Sequence, residues 1–400
     1  MKHTQWQGYL RRDGRKGIRN YVAVVYLVEC AHHVAREIAS QFKSSPVQLI
    51  GFPGCYPNAY ADRIMTALCT HPNIGAVLIV SLGCESFNKD RLQGNIYMSG
   101  RPSECIVIQE AGGTRRAIEE GLSWVSSILP TLDTVPLVPM GVDDLIVGTV
   151  CGGSDATSGM TANPAVGQAF NQLVEANGIA IFEETGEMIG LENIMSSRAV
   201  TPELAVELKR SVEKAAKYYN IMGHGSFAPG NADGGLTTIE EKSMGAYCKS
   251  GDSLISGLIK PGDLPVKPGL YLMDVVPDGD PRFGFPNIND TVEIVELIAS
   301  GCHMILFTTG RGSVVGSAIS PVIKICANPD TYRRLEEDMD VNAGDILFGT
   351  TTVEKVGDEI FEKILTVAGG TATCSEALGH QEFILTYKTF TPTGPSCLPG

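Results

Sequence analysis

Apolar runs too continuous for a strand with one wet face alternate along this chain with segments of helical period, and no other feature constrains the fold as strongly. The first run, YVAVVYLV from Tyr21 to Val28, is followed between His32 and Phe42 by Val34, Ile38 and Phe42 at four-residue spacing. Strands covered on both faces read as unbroken hydrophobic stretches, whereas a helix packed on them shows a single apolar stripe. The pattern repeats as VQLIGF before a helix over about Asn58 to Leu68, then AVLIVSLG, CIVIQE, a helix near Arg115 to Ser127, and DLIVGTV. A second series opens at Asn163 and Pro164, an N-cap followed by proline at the first helical position. That helix runs to Ala176, stops at Asn177 and Gly178, and feeds the strand IAIFEE. Pro202 to Tyr218 predicts a helix with Leu204, Leu208, Val212 and Ala215 on one face. YLMDVV and MILFTTG predict strands on either side of a helix from Thr291 to Ser300, and PVIKICANP a further buried segment. The expected fold class is α/β, with two parallel-sheet lobes, right-handed crossovers and glycine-rich loops at strand ends. Residues 1–155 form the first lobe in this reading, 156–390 the second, and 391–400 a loose tail.

With 43% hydrophobic and 19% charged residues, a chain of 400 residues is a globular protein able to bury more than one core. A net charge of -14 argues against a general nucleic-acid or anionic-membrane surface, which needs a basic footprint. The N-terminus MKHTQWQGYLRRDGRKG has no apolar signal-peptide core, and no run of eighteen apolar residues occurs, so a cytoplasmic location with reduced thiols is expected. The 11 cysteines make no small disulfide scaffold. Cys69, Cys105, Cys302 and Cys326 read as small buried hydrophobes within or beside apolar segments.

Three other cysteines end apolar runs: Cys55 after VQLIGFPG, Cys84 after AVLIVSLG and Cys151 after DLIVGTV. Loops at the carboxyl ends of parallel strands converge on one rim, where distant residues build a site. Three thiolates there suit iron, either as a [4Fe-4S] cluster with one iron open or, with oxygen ligands and fewer thiolates, as a single Fe2+. Separate buried thiols, or one active-site thiol, are the competing readings. Polar groups crowd the same strand ends: Glu85 follows Cys84, and Ser154 and Asp155 follow Cys151. TTGRGSVVGS carries Arg311 in a glycine-rich turn that suits an oxyanion, or serves as a plain tight turn. The long segment MGHGSFAPGNADGGLTTIEEKSMG reads as a functional loop, offering His224 as a base or ligand and Glu240, Glu241 and Lys242 as successive charges. His380 and Glu382 share a strand face, and Asp278, Asp280 and Arg282 form a further polar cluster. DGRKGIRN precedes its strand, so it is no dinucleotide turn, and there is no P-loop.

Several long segments together resemble the altronate and galactarate dehydratase family: GYLRRDGRKGIRNYVAV, HPNIGAVLIVSLGCE, CGGSDATSGMTANPAVG, PGNADGGLTTIEEKSMG, and FTTGRGSVVGSAISPVIKICANP followed by DMDVNAG. GHGSFAPGNADGGLTT and GHQEFILTYKTF look most like the family's sulfite-eliminating branch. The resemblance implies an iron-dependent lyase that removes the C2 proton of a 2-hydroxy acid and expels a C3 substituent, sulfite or, alternatively, hydroxide. It implies Arg19, Arg311, Lys242 and Ser154 as binders of an anionic substrate, and Glu85, Asp155 and His224 as candidate proton-transfer groups. It also implies an oligomer in which a separate small subunit supplies an N-terminal domain. A non-enzymatic assembly protein and a redox thiol enzyme are the alternatives from other classes.

Overall fold

The computed structural model describes residues 5–42, 46–223, 227–278 and 288–390. Two parallel sheets form, as the continuous apolar runs require. The first has four strands in the order Val47–Gly51, Tyr21–Tyr26, Ile74–Ser81 and Ser103–Val107. The second has seven, in the order Ile255–Ile259, Gly269–Met273, Ile179–Phe182, Ile146–Cys151, Met304–Thr309, Val322–Cys326 and Val341–Asn342. A small antiparallel sheet of Lys16–Gly17, Trp6–Leu10 and Leu137–Met140 is the third. Every residue of Ile74–Ser81 and of Met304–Thr309 is buried, which is why neither alternates polar with apolar.

One strand changes lobe relative to expectation. Ile146–Cys151, expected to close the first lobe within residues 1–155, lies in the middle of the second sheet, with Val147 opposite Ala180 on one side and Met304 on the other. Hydrophobic periodicity reports that a strand is covered on two faces and carries no information about which sheet accepts it. The strands that follow go to one side of Ile146–Cys151 and, from Met304–Thr309 onward, to the other. A crevice at the carboxyl ends of strands where the order reverses is the usual ligand position in an open α/β sheet.

Local signals act largely as expected. Asn58 caps the Ala59–Cys69 helix by accepting from the Ala61 N–H at 3.0 Å, and Thr201 caps Pro202–Met222. Asn177 takes a left-handed φ of 63° after the Ala162–Glu175 helix. The N-cap position of that helix is Thr161, not Asn163. The Asn163 side chain instead accepts from Thr308 Oγ1 at 2.8 Å and donates to the Gly245 carbonyl at 3.0 Å, tying the helix to a strand end and to the glycine-rich segment. Within that segment, expected as a loop, two short helices form at Pro229–Asp233 and Ile239–Tyr247.

The lobes share a core in which Phe52, Ile64 and Leu68 of the first meet Val150, Ile294 and Phe307 of the second. Removing such surface from water stabilises the contact by about 25 cal/mol per Å2. Tyr60 donates to Glu296 at 2.6 Å and Lys388 pairs with the same carboxylate at 2.8 Å, so these three groups satisfy one another inside the interface. Among the described residues no helix is long and apolar enough to cross a membrane.

Candidate active site

Cys151 ends the central strand of the second sheet, and the neighbouring strand Ile179–Phe182 ends in Glu183 and Glu184. Glu184 adopts φ 70°, a left-handed conformation that costs a non-glycine residue of order 1 kcal/mol or more. The turn brings its carboxylate back to the strand end: Glu184 Oε1 lies 3.4 Å from Cys151 Sγ, and Oε2 accepts the Cys151 N–H at 3.2 Å. Glu187 Oε2 is 3.3 Å from the same sulfur, and Ser154 Oγ 3.3 Å. Two lysines arrive from the glycine-rich segment and the turn after it. Lys249 Nζ contacts Glu184 and lies 3.6 Å from Glu187 Oε2, and Lys242 Nζ sits 2.6 Å from Glu187 Oε1.

Burial and charge separate the protonation states of these groups. Burial, then the charges of Glu184 and Glu187, push the Cys151 thiol well above its ordinary range. Burial and the neighbouring Glu187 raise Glu184 to about 7, against the opposing pull of Lys249. Burial also acts upward on Glu187, but Lys242 and Lys249 outweigh it and hold that carboxyl below its ordinary value. At neutral pH the cluster is therefore an ionised Glu187 between two ammonium groups, a Glu184 poised to gain or lose a proton, and a neutral thiol. Cys151, Glu184 and Glu187 place one donor atom each within 4.8 Å of one another, a set able to hold a metal ion. Glu183, Glu184 and Glu293 form a second such set.

The rest of the loop after Cys151, and the loops after Met304–Thr309 and Val322–Cys326, border the cluster. Asp155 Oδ1 accepts from the Thr157 N–H at 2.9 Å and its hydroxyl at 2.6 Å, while Oδ2 accepts from Asn328 at 3.0 Å. A Cβ at Gly310 would lie 2.1 Å from Asp155 Oδ1, so only glycine allows this approach of the TGRGS turn. Arg311, its side chain 46% exposed, donates to the Gly230 carbonyl at 2.6 Å.

The expected site residues divide into three groups. Cys151, Ser154 and Lys242 belong to the buried cluster, with Asp155 and Arg311 on the adjoining loops. Cys55 and Cys84 are exposed on first-lobe loops, which meet where the Ser86 N–H donates to the Cys55 carbonyl at 2.9 Å. Among the described residues the only single-ion ligand set containing a cysteine pairs Cys151 with Glu184 and Glu187. Glu85 caps its own turn, accepting from the Ser81 hydroxyl at 2.5 Å and the Gly83 N–H at 2.8 Å. Arg19 has partners of its own. It forms a two-pronged pair with Glu376 at 2.7 and 2.9 Å and donates to the carbonyls of Ile18, Val367 and Thr371, leaving its guanidinium committed to joining chain segments. His380 and Glu382 lie elsewhere, beside Lys324 and the Gly316 N–H, and Asp278 pairs with Lys214. His224, Asp280 and Arg282 lie outside the described residues.

Glu184, Glu187, Lys249, Glu183 and Glu293 were not foreseen. EETGE directly after an apolar strand was the available signal for the first two, whereas Lys249 sits in CKSG with no local mark of its burial.

Residues 142–391 match the family described as D-galactarate/Altronate dehydratase, C-terminal, and residues 8–133 match D-galactarate dehydratase/Altronate hydrolase, second domain. The chain is 31% identical to (2R)-sulfolactate sulfo-lyase subunit beta of Chromohalobacter salexigens, over 96% of this chain and 98% of that one. It is 31% identical to galactarate dehydratase (L-threo-forming) of Escherichia coli, over 91% of this chain and 73% of that enzyme. Altronate dehydratase of the same organism matches at 28% identity, over 95% and 77%. Two family matches that together span both lobes, and relatives that align along nearly all of its length, show that the chain belongs to the galactarate/altronate dehydratase family.

Proposed function

We propose that the chain is the large subunit of a (2R)-sulfolactate sulfo-lyase, a carbon–sulfur lyase that eliminates sulfite from 3-sulfolactate to give pyruvate. The match to subunit beta, running the length of both chains, is the observation that carries this reading. The reaction removes the C2 proton and breaks the C3–S bond, with the bonding pair leaving on sulfite. The enolpyruvate left behind tautomerises to pyruvate. Since the C2 proton lies beside an ionised carboxylate, it is weakly acidic, and the developing charge needs stabilisation.

A single Fe2+ fits the chemistry of the Cys151, Glu184 and Glu187 donors, one sulfur among carboxylate oxygens. A four-iron cluster held by three thiolates does not fit them. Bound there, the ion would act as a Lewis acid on the substrate's carboxylate and 2-hydroxyl. Lys242 and Arg311 supply positive charge for carboxylate and sulfonate, and the Ser154 hydroxyl a hydrogen bond. Of the expected proton-transfer groups, Asp155 adjoins the cluster in the chain, and its four-donor surroundings fix its orientation. It is our choice for the C2 proton acceptor. A small subunit is the proposed partner, since the relative carrying the proposal is itself a subunit. The protein is proposed to act in the cytoplasm.

Loss of water from an altronate- or galactarate-type sugar acid is the second reading, favoured by an identity to galactarate dehydratase of the same 31%. Anaerobically purified protein, with and without the small subunit, is to be incubated with sulfolactate, altronate and galactarate while sulfite, pyruvate and iron are measured. Sulfite and pyruvate in equal amounts are expected from sulfolactate. Dehydration of a sugar acid with no sulfite release sinks the first reading in favour of the second.

A further inference from the structure

Behind the thiol-containing set lies a group of side chains that the elimination does not use. Glu183 is completely buried, and neither of its carboxylate oxygens has a hydrogen-bond partner. Leaving such a group unsatisfied costs several kcal/mol in an apolar interior, so a folded protein normally fills the vacancy in some way. One of these oxygens belongs to a set in which Glu183, Glu184 and Glu293 bring donor atoms within 4.8 Å of one another. Glu293 arrives on the Asp290–Ala299 helix and is 3% exposed.

The charges around this set do not balance. Glu183, Glu184, Glu187, Asp290 and Glu293 face the cluster, against the ammonium groups of Lys242 and Lys249. Lys249 already contacts Glu184 and sits 3.6 Å from Glu187, and Lys242 pairs with Glu187. Lys388, the other cation acting on Glu293, is bound to Glu296 at 2.8 Å. Two remedies exist, protonation or a cation. A proton shared between two carboxyls draws their oxygens to about 2.5–3.0 Å. Glu183 has no hydrogen-bond partner. A hard divalent ion with oxygens at about 2.0–2.6 Å spaces them roughly 3–5 Å apart, and the three donor atoms here lie within 4.8 Å of one another.

We infer that Glu183, Glu184 and Glu293 form a second cation site, an oxygen-only cage for a hard divalent ion of the Mn2+ or Mg2+ class, sharing Glu184 with the thiol-containing set. The softer, sulfur-containing set and the oxygen-only set would then differ in the metal each prefers. Ions held on either side of one carboxylate lie close enough to interact magnetically. The inference does not depend on which group leaves the substrate.

Full-length protein stripped with a chelator and dialysed against MnCl2 as the sole metal provides the test. Two Mn2+ per chain with an exchange-coupled electron paramagnetic resonance spectrum are expected. E183Q, which keeps the side-chain shape, should bind one ion with an uncoupled six-line spectrum, and C151S should retain one ion in the oxygen-only set. One ion or none in the unaltered protein overturns the inference, and so does an equal number in the unaltered protein and E183Q. Infrared spectra give an independent check, since a protonated-carboxyl band that persists at saturating Mn2+ and vanishes in E183Q would identify Glu183 as a neutral acid. Because the unaltered protein alone separates two coupled ions from one, the test survives a variant that fails to fold. Sulfite release on the same samples reports separately on the elimination.

Discussion

The carboxyl rims of the two parallel sheets are built from similar sequence and end up chemically opposite. On the first, Cys55 and Cys84 are exposed, and Glu85 closes its own turn. On the second, Cys151, Glu184 and Glu187 are buried and held by two lysines. The difference comes from what covers each rim. The Ile239–Tyr247 helix and the turn after it carry Lys242 and Lys249 over the second sheet, and the Asp290–Ala299 helix brings Asp290 and Glu293. A strand end becomes a site when other parts of the chain exclude water from it and supply compensating charge. A cysteine or carboxylate at the rim is insufficient alone.

Lys249→Met tests that contrast most severely. Its ammonium is completely buried against Glu184 and Glu187, so removing it strands charge in the interior. A loss of about 3–5 kcal/mol is expected, by analogy with other broken buried pairs, and denaturant titration measures it. Adding Glu184→Gln should recover part of the loss, because one stranded carboxylate disappears. Cys151→Ser comes next. Turnover of sulfolactate should fall by roughly 10²–10³, the scale of losing an electrostatic contributor, with iron content falling in parallel.

A third effect is set by pH and lies away from the site. His303 accepts the Ile146 N–H at 3.0 Å and donates to the Lys16 carbonyl at 2.8 Å, joining the small antiparallel sheet to the second lobe in its neutral form. Burial lowers its pKa from 6.5 to about 4. Between these values the unfolded chain binds a proton that the folded one does not. Stability should therefore be complete above pH 6.5 and decline as pH falls toward 4, by on the order of 3 kcal/mol. His71, also lowered by burial, acts in the same direction. Urea midpoints between pH 8 and 4.5 check the slope, and His303→Gln should flatten it.

Much of the architecture was legible because burial on two faces writes itself into continuous runs, as in Ile74–Ser81, and because caps such as Asn58 act through neighbours three residues away. Allegiance between elements was not legible. Nothing near Ile146–Cys151 tells which sheet it enters, and so nothing there shows that Cys151 ends the strand in the middle of the second sheet. Arg19 looked like a substrate binder because its partner, Glu376, lies 357 positions away. Glu184 and Lys249 escaped notice for the same reason: their meaning comes from being buried together, a property of the fold that neither residue's neighbours encode.

The smallest expected effect is the sharpest check on the comparison. Cys55→Ser and Cys84→Ser, separately and together, should change stability by less than about 0.5 kcal/mol, the range of surface substitutions, and leave iron content as it was. Both thiols face solvent, so neither substitution opens a cavity. The Ser86 to Cys55 bond that joins their loops is between backbone atoms and survives a change of side chain. A large loss of iron in either variant, with the fold intact, would mean that the first rim ligates metal after all. The division of labour between an exposed rim and a charged, buried one would then fail, since the cover that distinguishes them would not be what makes the site.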